Sequence, residues 1–243
     1  METATTRAGV IGLGDIGKGV AGALARAGVG LTVCDIRPEA VEPFAAQARV
    51  AADPADLAAT SEVVVVAVVN DAQVLGVLDG PEGALASALP GAAILVVSTI
   101  SPDTVRAVAE LAEARGVHVV DCGVSGGPTA AAEGTLVSML GGDAAVVERV
   151  RPVVETFSSL VVHMGPLGAG LQAKLARNLV QYGSWLAAYE AQVLAEAAGV
   201  ELGKLAEVIR QSDKLIGGAS RLMFRPTVAP FGPDDHAMIV DAM

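Results

Sequence analysis

Short apolar runs alternate with amphipathic segments along the first two thirds of the chain. The clearest run is residues 63–69, which are seven consecutive apolar residues. An unbroken run of this length is typical of a central parallel strand that is buried on both faces. The segments between the runs have helical periodicity, and two of them begin at Asp53-Pro54 and Ser101-Pro102, which are residue pairs that favour helix starts. This alternation predicts an α/β fold with a doubly wound mixed sheet.

The same pattern assigns strands and helices in order. We predict strands at residues 8–13, 31–33, 63–69, 92–97, 117–122, 135–140 and 160–163, and helices at residues 16–27, 39–48, 54–59, 102–115, 166–198 and 202–211, with a further helix from Asp143. Residues 83–102 are uncharged, but Pro90-Gly91 interrupts them. The interruption predicts a helix, a turn and a strand rather than a membrane span.

The predicted helix at residues 166–198 is longer than an ordinary globular helix. A long helix that follows an α/β pattern usually joins two domains, and small-ligand sites lie at such junctions. We therefore expect an α/β domain at residues 1–164 and a small all-α domain at residues 165–243, which begins with the linking helix. Residues 237–243 have the pattern of another helix start without a cap, so we expect the all-α domain to be truncated.

Composition excludes several kinds of partner. The chain of 243 residues has a formal net charge of −11 and no run of lysine or arginine, which argues against nucleic acids and anionic membrane surfaces. The N-terminus lacks the charged-then-apolar pattern of a signal peptide. Cys34 and Cys122 lie in strand-like apolar runs and are expected to be reduced core residues. We therefore expect a cytoplasmic protein that binds neither nucleic acid nor membrane.

A glycine turn follows the first predicted strand and opens the first predicted helix. It consists of Gly12, Leu13, Gly14, Asp15, Ile16 and Gly17. The GxGxxG spacing is weak evidence by itself, but its strand–turn–helix context is that of the dinucleotide-binding fingerprint. The glycines permit a tight turn and let backbone N–H groups approach a pyrophosphate at the helix N-terminus. A packing turn without a ligand is the alternative interpretation.

An acidic residue follows the second predicted strand, at the position where the fingerprint binds the adenosine ribose. This residue is Asp35, and a carboxylate there accepts hydrogen bonds from a 2′-hydroxyl and repels a 2′-phosphate. NAD is therefore favoured over NADP as the cofactor. Arg37 lies close enough to weaken this discrimination, and an ordinary aspartate at a strand end is the alternative.

A second glycine turn follows the strand predicted at residues 117–122. Ser125, Gly126 and Gly127 would present a hydroxyl and backbone N–H groups, which could hold a carboxylate. A simple flexible loop is the alternative.

One lysine stands among apolar neighbours near the start of the long helix. Lys174 and Asn178 are four residues apart and therefore share a helix face, and Arg177 lies beside them. A solvent-facing lysine on an amphipathic helix is the ordinary interpretation of this pattern alone. The two glycine turns earlier in the chain favour a lysine that faces a ligand.

Three motifs occur in order between residues 8 and 198: GLGDIG, DCGVSGGPTAAAEGTL and GPLGAGLQAKLARN. They resemble the signatures of the β-hydroxyacid dehydrogenase family, which includes 3-hydroxyisobutyrate dehydrogenase and tartronate semialdehyde reductase. The resemblance implies a Rossmann domain, then the long linking helix and an all-helical domain that pairs subunits. It therefore implies a homodimer or a homotetramer that assembles through the helical domain.

The resemblance also implies roles for individual residues. Lys174 matches the catalytic lysine of the family, and Asn178 matches its substrate-orienting asparagine. The substrate carboxylate would be bound by Ser125, Gly126 and Gly127. The nicotinamide side of the site would be lined by Val68, Val69, Gln73 and Thr99.

The chain departs from the family pattern at two places. Arg177 replaces the asparagine that usually precedes the substrate-orienting asparagine, and it would add a cation for a second acidic group of the substrate. The Lys-Asp-Leu segment with which family members reach the cofactor is not found before Met243. The resemblance therefore leaves part of the pocket unassigned.

The activity that the resemblance implies is the reversible oxidation of a small 3-hydroxy acid to its semialdehyde with NAD. Lys174 would take the hydroxyl proton as general base and return it as general acid in the reverse direction. No metal is needed for this reaction, and His118, His163 and His236 show no spacing of metal ligands.

Three alternatives stay open. An imine reductase shares the scaffold, although those enzymes usually carry another residue at the position of Lys174. Phosphogluconate dehydrogenase is similar too, but its helical domain is much longer than this one. A non-catalytic NAD-binding protein would be consistent with a chain that lacks the Lys-Asp-Leu segment.

Three large residues of the long helix, Trp185, Leu186 and Tyr189, favour an oligomer on physical grounds as well. One long helix and one short helix cannot bury all their apolar faces, so these side chains would need a partner surface. Packing under the residues that follow is the alternative.

Overall fold

The computed structural model describes residues 6–216. Residues 1–5 and 217–243 lie outside the described part of the chain, and with them His236 and the helix start predicted at residues 237–243.

The chain falls into two compact units, Met1–Leu175 and Ala176–Met243. The first unit contains the sheet and the helices around it, and the described part of the second unit is helical. The domain limits expected at residues 1–164 and 165–243 stay a prediction.

One mixed sheet, eight-stranded over the described residues, forms the centre of the first unit. Its strands are β1 (Arg7–Ile11), β2 (Gly30–Cys34), β3 (Arg49–Val50), β4 (Val63–Val66), β5 (Ala93–Val96), β6 (His118–Ser125), β7 (Leu136–Gly141) and β8 (Ser158–Gly165). They lie in the order β3-β2-β1-β4-β5-β6-β7-β8. The first six are parallel, β7 is antiparallel to β6, and β8 is parallel to β7. The order of the parallel strands is that of a Rossmann fold, which confirms the predicted fold class.

The central strands bury both faces, which explains their unbroken apolar runs. Along β4, Val63 and Val65 belong to one hydrophobic cluster, and Val64 and Val66 belong to a second cluster. Because successive side chains of a strand point to opposite faces, each cluster fills the space between one face of the sheet and its helices. The core is therefore built mainly from valine, leucine, isoleucine and alanine.

Helices connect the strands. In the described residues they are α1 (Asp15–Arg26), α2 (Pro38–Val41), α3 (Pro54–Ala58), α4 (Asp71–Leu78), α5 (Pro102–Glu113), α6 (Gly127–Glu133), α7 (Ala144–Glu155), α8 (Ala169–Ala197) and α9 (Leu202–Ile216). Four of them begin at a side chain that accepts a backbone N–H of the first turn, namely Asp53, Asn70, Ser101 and Asp143. Such caps satisfy donors that the helix itself leaves without partners.

The structure corrects the predicted elements at several places. The helix predicted at residues 39–48 is instead the short α2 followed by a 3-10 turn at Glu42–Phe44, because Pro43 has no N–H to continue the helix. The helix predicted after residue 83 is a single 3-10 turn, Ala84–Ala86. The sequence pattern does not predict β3, α4 or α6, which have 2, 8 and 7 residues.

Both cysteines are free and buried, which confirms that they are core residues. Burial raises the pKa of the Cys34 thiol to about 11 and that of the Cys122 thiol to about 12. Both thiols are therefore protonated at neutral pH and poorly nucleophilic.

The second unit carries exposed apolar side chains on α8. Trp185, Leu186 and Tyr189 are each more than half exposed, and Tyr182 packs edge-on against Trp185 with ring centroids 5.5 Å apart. The partner surface expected for these residues stays a prediction. No helix within residues 6–216 is long and apolar enough to span a lipid bilayer.

Candidate active site

The first glycine turn has the geometry of a dinucleotide cradle. Gly12 has φ +87°, and a Cβ there would lie 2.6 Å from the carbonyl oxygen of Ala67. A Cβ on Gly17 would collide with the carbonyl oxygen of Gly12. By contrast, no atom lies within 4 Å of the Cβ position of Gly14, so its backbone is open to a ligand. These are the three roles of the glycines in the fingerprint, and the turn therefore fits a pyrophosphate.

Asp15 introduces a negative charge next to this cradle. Its carboxylate accepts a hydrogen bond from Nζ of Lys18 at 2.6 Å. The hydrogen bond and the charge of Lys18 lower the pKa of Asp15. Lys18 therefore balances the charge of Asp15 at the start of α1, a role that the glycine spacing alone does not reveal.

Asp35 lies at the end of β2, and its side chain is 6% exposed. It accepts hydrogen bonds from the backbone N–H of Leu13 at 2.6 Å and from the backbone N–H of Arg37 at 2.9 Å. The Arg37 guanidinium adds Nε at 3.0 Å and Nη2 at 3.2 Å. Burial alone would raise the pKa of Asp35, but the hydrogen bonds from Arg37 and Leu13 outweigh it and lower that pKa. An ionised carboxylate is thus fixed beside the glycine turn, where NAD would place its ribose.

A cavity of about 360 Å³ opens beyond the carboxyl ends of the parallel strands. It belongs entirely to the first unit, and residues from the first glycine turn, from the loops after β4 and β5, from the second glycine turn and from α8 line it. These residues are Gly14, Asp15, Ile16, Ala67, Val68, Val69, Val97, Ser98, Thr99, Val124, Gly127 and Lys174. Ligands of open α/β sheets bind at this edge, so the cavity is the candidate active site.

The loop after β4 brings two predicted nicotinamide residues to this cavity. Because β4 ends at Val66 rather than at residue 69, Val68 and Val69 belong to the loop and not to the strand. Gln73 does not line the cavity, but its Oε1 accepts the backbone N–H of Val69 at 2.9 Å. Gln73 therefore holds the backbone of the loop at Val69, and its predicted place at the nicotinamide stays a prediction.

Ser98 is a lining residue that the sequence interpretation does not single out. It is buried, its Oγ accepts the backbone N–H of Val68 at 2.9 Å and it donates to the carbonyl oxygen of Val68 at 2.8 Å. The available signal is a hydroxyl directly after a buried apolar strand, since buried polar groups need partners. Ser98 thus ties the loop after β4 to the end of β5.

The second glycine turn is a defined backbone structure. Gly126 has φ +125° and Gly127 has φ +70°, which are conformations that favour glycine. A Cβ on Gly126 would lie 2.5 Å from the Cβ of Ala130, whereas the Cβ position of Gly127 is open. Of the three residues predicted for the substrate carboxylate, Gly127 lines the cavity, and Ser125 lies buried just before it at the end of β6.

Lys174 reaches the cavity because α8 approaches β6 very closely. A Cβ on Gly123 would lie 2.6 Å from the Cβ of Lys174 and 2.7 Å from the carbonyl oxygen of Gly170. Lys174 is half-buried and lines the cavity together with Val124 and Gly127. The lysine predicted from its apolar neighbours therefore lies in the same cavity as the glycine cradle.

Asn178 and Arg177 belong to the second unit, where they continue α8. Nη2 of Arg177 donates a hydrogen bond to Oε1 of Gln181 at 3.0 Å, one helical turn further along. Their predicted contacts with a substrate stay predictions.

The described histidines and carboxylates form no metal centre. Within residues 6–216, no group of three or more His, Cys, Asp or Glu side chains has the geometry to hold a metal ion. Nε2 of His163 lies 3.0 Å from the Gly142 carbonyl oxygen and 2.8 Å from the Gly165 carbonyl oxygen. The His163 side chain therefore contacts the backbone of the loop between β7 and α7.

Comparison with known proteins identifies related enzymes. The family model described as the NAD-binding domain of 6-phosphogluconate dehydrogenase matches residues 7–165. An uncharacterized oxidoreductase of Mycobacterium tuberculosis is 42% identical over 231 residues, which are 95% of this chain and 78% of the relative. The NAD-dependent L-serine dehydrogenase of Pseudomonas aeruginosa is 37% identical over 83% of this chain and 68% of its own.

Solved structures of related enzymes are also similar to this chain. The 3-hydroxyisobutyrate dehydrogenase of Mycobacterium tuberculosis with L-serine has a TM-score of 0.80 and 30% identity, and the match covers 98% of this chain and 86% of that one. An imine reductase from Myxococcus stipitatus also has a TM-score of 0.80 over 87% of this chain and 73% of that one. Its identity of 22% shows that the fold is shared and no more.

Proposed function

Because this chain belongs to the β-hydroxyacid dehydrogenase family and is an NAD-dependent oxidoreductase, we propose that it oxidises a small 3-hydroxy acid reversibly to the semialdehyde. Two relatives whose names carry 3-hydroxyisobutyrate and L-serine support this class of substrate. Lys174 is the general acid and base of the proposed reaction.

One observation carries this proposal. The cavity is lined by the open glycine of the cofactor cradle, Gly14, and by Lys174. A cofactor bound on the cradle and a proton carrier therefore share one space, which oxidation of an alcohol requires.

The chemistry needs two transfers in the same step. Oxidation removes a hydride from the carbon that bears the hydroxyl and a proton from its oxygen, and NAD, when bound, accepts the hydride. Lys174 takes the proton at Nζ and returns it when the semialdehyde is reduced. The half-buried Val68 and Val124 would place apolar side chains beside the reacting atoms.

The substrate carboxylate is assigned to the second glycine turn. Gly127 contributes an open backbone position at the cavity, and the buried Ser125 precedes it with a hydroxyl. Backbone N–H groups and a hydroxyl are suitable donors for a carboxylate. Asn178 would orient the substrate, and Arg177 would bind a second acidic group where a substrate carries one.

We also propose that the helical domain pairs subunits into a homodimer or a homotetramer. The exposed Trp185, Leu186 and Tyr189 support an apolar contact surface on α8. The cytoplasmic location expected from the sequence belongs to the same proposal.

Two other functions are tested by the same experiment. An imine reductase would act on a cyclic imine and not on a hydroxy acid. A non-catalytic NAD-binding protein would bind NADH and turn over neither. Lys174 at the cavity favours the dehydrogenase, since a binding protein needs no proton carrier there.

The experiment is a turnover assay that follows NADH formation with 3-hydroxyisobutyrate and L-serine, with NAD or NADP as cofactor. A parallel assay follows the oxidation of NADH or NADPH with a cyclic imine. Lys174→Ala is compared with Lys204→Ala, which removes an exposed lysine of α9. We expect turnover with NAD, loss of about a thousandfold in Lys174→Ala and no loss in Lys204→Ala. NADH binding by fluorescence should be retained in both variants. Equal turnover in the two variants would contradict the role of Lys174, and NADH binding without turnover of either acid would contradict the substrate class.

A further inference from the structure

Asp121 is a buried carboxylate with no part in the proposed binding of cofactor or substrate. It lies in β6, opposite Gly141 of β7, and its exposed fraction is 0%. Its Oδ1 accepts the backbone N–H of Gly168 at 2.6 Å, and its Oδ2 accepts the backbone N–H of Leu171 at 2.7 Å. Two charge-assisted hydrogen bonds, one on each oxygen, therefore join the sheet to the start of α8.

Glycines remove the side chains that would otherwise separate α8 from the sheet. A Cβ on Gly141 would collide with Oδ1 of Asp121, and a Cβ on Gly170 would collide with the carbonyl oxygen of Met139. On β6, a Cβ on Gly123 would lie 2.7 Å from the carbonyl oxygen of Gly170. The first turn of α8 thus packs backbone against backbone on β6 and β7, where its free N–H groups need an acceptor.

The same contact determines where Lys174 lies. Lys174 follows Gly170 by one helical turn on the same face, and its Cβ lies against Gly123. It lines the cavity beside Val124 and Gly127. A shift of the first turn of α8 would therefore move Lys174 relative to the residues opposite it.

A carboxylate is a costly choice for this position. Burying a charge is unfavourable, and burial raises the pKa of Asp121 although the N–H groups of Gly168 and Leu171 act against the rise. An ordinary helix cap needs one acceptor, which Ser, Thr or Asn also provides. Two acceptors in fixed directions hold the helix start more rigidly than one acceptor does, and a reacting group benefits from such rigidity.

We propose that Asp121 is a positioning residue: its two hydrogen bonds fix the first turn of α8 and thereby hold Lys174 in place for proton transfer. This inference rests on the proposed role of Lys174 and names the residue that holds it.

Asp121→Asn tests the two-acceptor requirement with almost no change in volume. An amide has one acceptor oxygen, so one of the two backbone N–H groups faces an NH₂ group instead. Asp143→Asn is the matched control, because a single oxygen of Asp143 accepts both Ala145 and Val146 N–H groups at the start of α7. An amide can keep that arrangement.

Turnover with NAD and L-serine or 3-hydroxyisobutyrate should fall about tenfold to a hundredfold in Asp121→Asn and less than about twofold in Asp143→Asn. The affinity for NADH should be unchanged in both variants, since the cradle lies in another βαβ unit. With substrate deuterated at the hydroxyl-bearing carbon, the isotope effect on kcat should increase in Asp121→Asn, because the chemical step becomes slower. A merely structural loss lowers the amount of active protein and leaves the isotope effect unchanged.

Unchanged turnover in Asp121→Asn, or lower turnover with an unchanged isotope effect, would overturn the inference.

Amide hydrogen exchange gives a result that does not depend on turnover. We expect the amides of Gly168 and Leu171 to exchange faster in Asp121→Asn than in the unaltered chain, and not in Asp143→Asn. Should Asp121→Asn fail to fold, these two amides in the unaltered chain should exchange as slowly as those of β6, and fast exchange would overturn the inference. Should neither acid be turned over, the proposed function fails while the exchange comparison still decides whether Asp121 fixes α8.

Discussion

The cofactor cradle and the start of α8 line the same cavity. The contacts that hold the cradle join residues closer in the sequence than those that hold the start of α8. In the cradle, the backbone N–H of Leu13 donates to the carboxylate of Asp35, which is 22 positions away, directly after β2. The start of α8 is held by Asp121, which lies 47 positions before Gly168 and 50 positions before Leu171. Cofactor binding and lysine placement should therefore be separable by mutation.

Among the changes that test this separation, Gly123→Ala should have the largest effect, and it should act on the start of α8 alone. The new Cβ would lie 2.6 Å from the Cβ of Lys174, so the helix must shift. We expect turnover to fall about a hundredfold with NADH affinity retained. Gly76→Ala in α4 is the control, since nothing lies within 4 Å of its Cβ position. Assays of turnover and NADH fluorescence check both variants, and a parallel loss of NADH affinity in Gly123→Ala would contradict the separation.

Gly14→Ala should weaken the binding of NADH, which Gly123→Ala should leave unchanged. The new methyl group meets no other part of the protein, so the fold can accommodate it. It would, however, occupy the space through which a pyrophosphate approaches the backbone of the cradle. We expect NADH affinity to fall about tenfold or more and the melting temperature to stay the same. Gly22→Ala, in the helix that follows Gly14, should leave the affinity unchanged, because its Cβ meets only the end of the Arg26 side chain at 3.4 Å. Titration of NADH fluorescence measures both, and equal affinities would show that Gly14 does not face the cofactor.

Ser98→Ala tests the long-range hydroxyl contacts that support the nicotinamide side. It leaves the backbone N–H and carbonyl of Val68 without their hydroxyl partner. We expect the free energy of unfolding to fall by about 1–3 kcal/mol, measured by urea denaturation. Ser159→Ala, whose exposed hydroxyl donates to the Thr135 carbonyl oxygen, should change it by less than about 0.5 kcal/mol. Equal losses in the two variants would show that the Val68 loop does not depend on Ser98.

Asp71→Asn should have the smallest effect and a distinct pH dependence. Hydrogen bonds from the Thr104 hydroxyl and the Ser101 N–H lower the pKa of Asp71 from 3.8 to about 2. A carboxyl whose pKa is lower in the folded state contributes stability above about pH 4, and this contribution is lost as the pH falls towards about 2. Melting temperatures between these pH values should therefore fall less steeply in Asp71→Asn than in the unaltered chain. Equal slopes would show that the link between α4 and α5 contributes nothing.

The cradle is the part of the site that the sequence predicts best. Gly12, Gly14 and Gly17 have a fixed spacing, their strand and helix are adjacent in the chain, and Asp35 follows within one βαβ unit. Local chemistry therefore determines both the turn and its partner.

The contacts that hold the start of α8, and with it Lys174, could not be predicted from the sequence in the same way. Asp121, Gly123 and Gly141 have no recognisable spacing relative to α8, and they become its neighbours only when β6 and β7 pair.

The errors in the predicted secondary structure have a related cause. Short elements such as α2 and β3 have too few residues for a periodic signal, and Pro43 ends a helix that the apolar pattern would continue.

A crystal structure of the chain with NAD and 3-hydroxyisobutyrate would test the central claim most directly. We expect the nicotinamide ring in the cavity beside Val69 and Thr99, and the substrate hydroxyl within hydrogen-bond distance of Nζ of Lys174. An acid bound outside this cavity, or a hydroxyl that Lys174 does not reach, would contradict the proposed reaction.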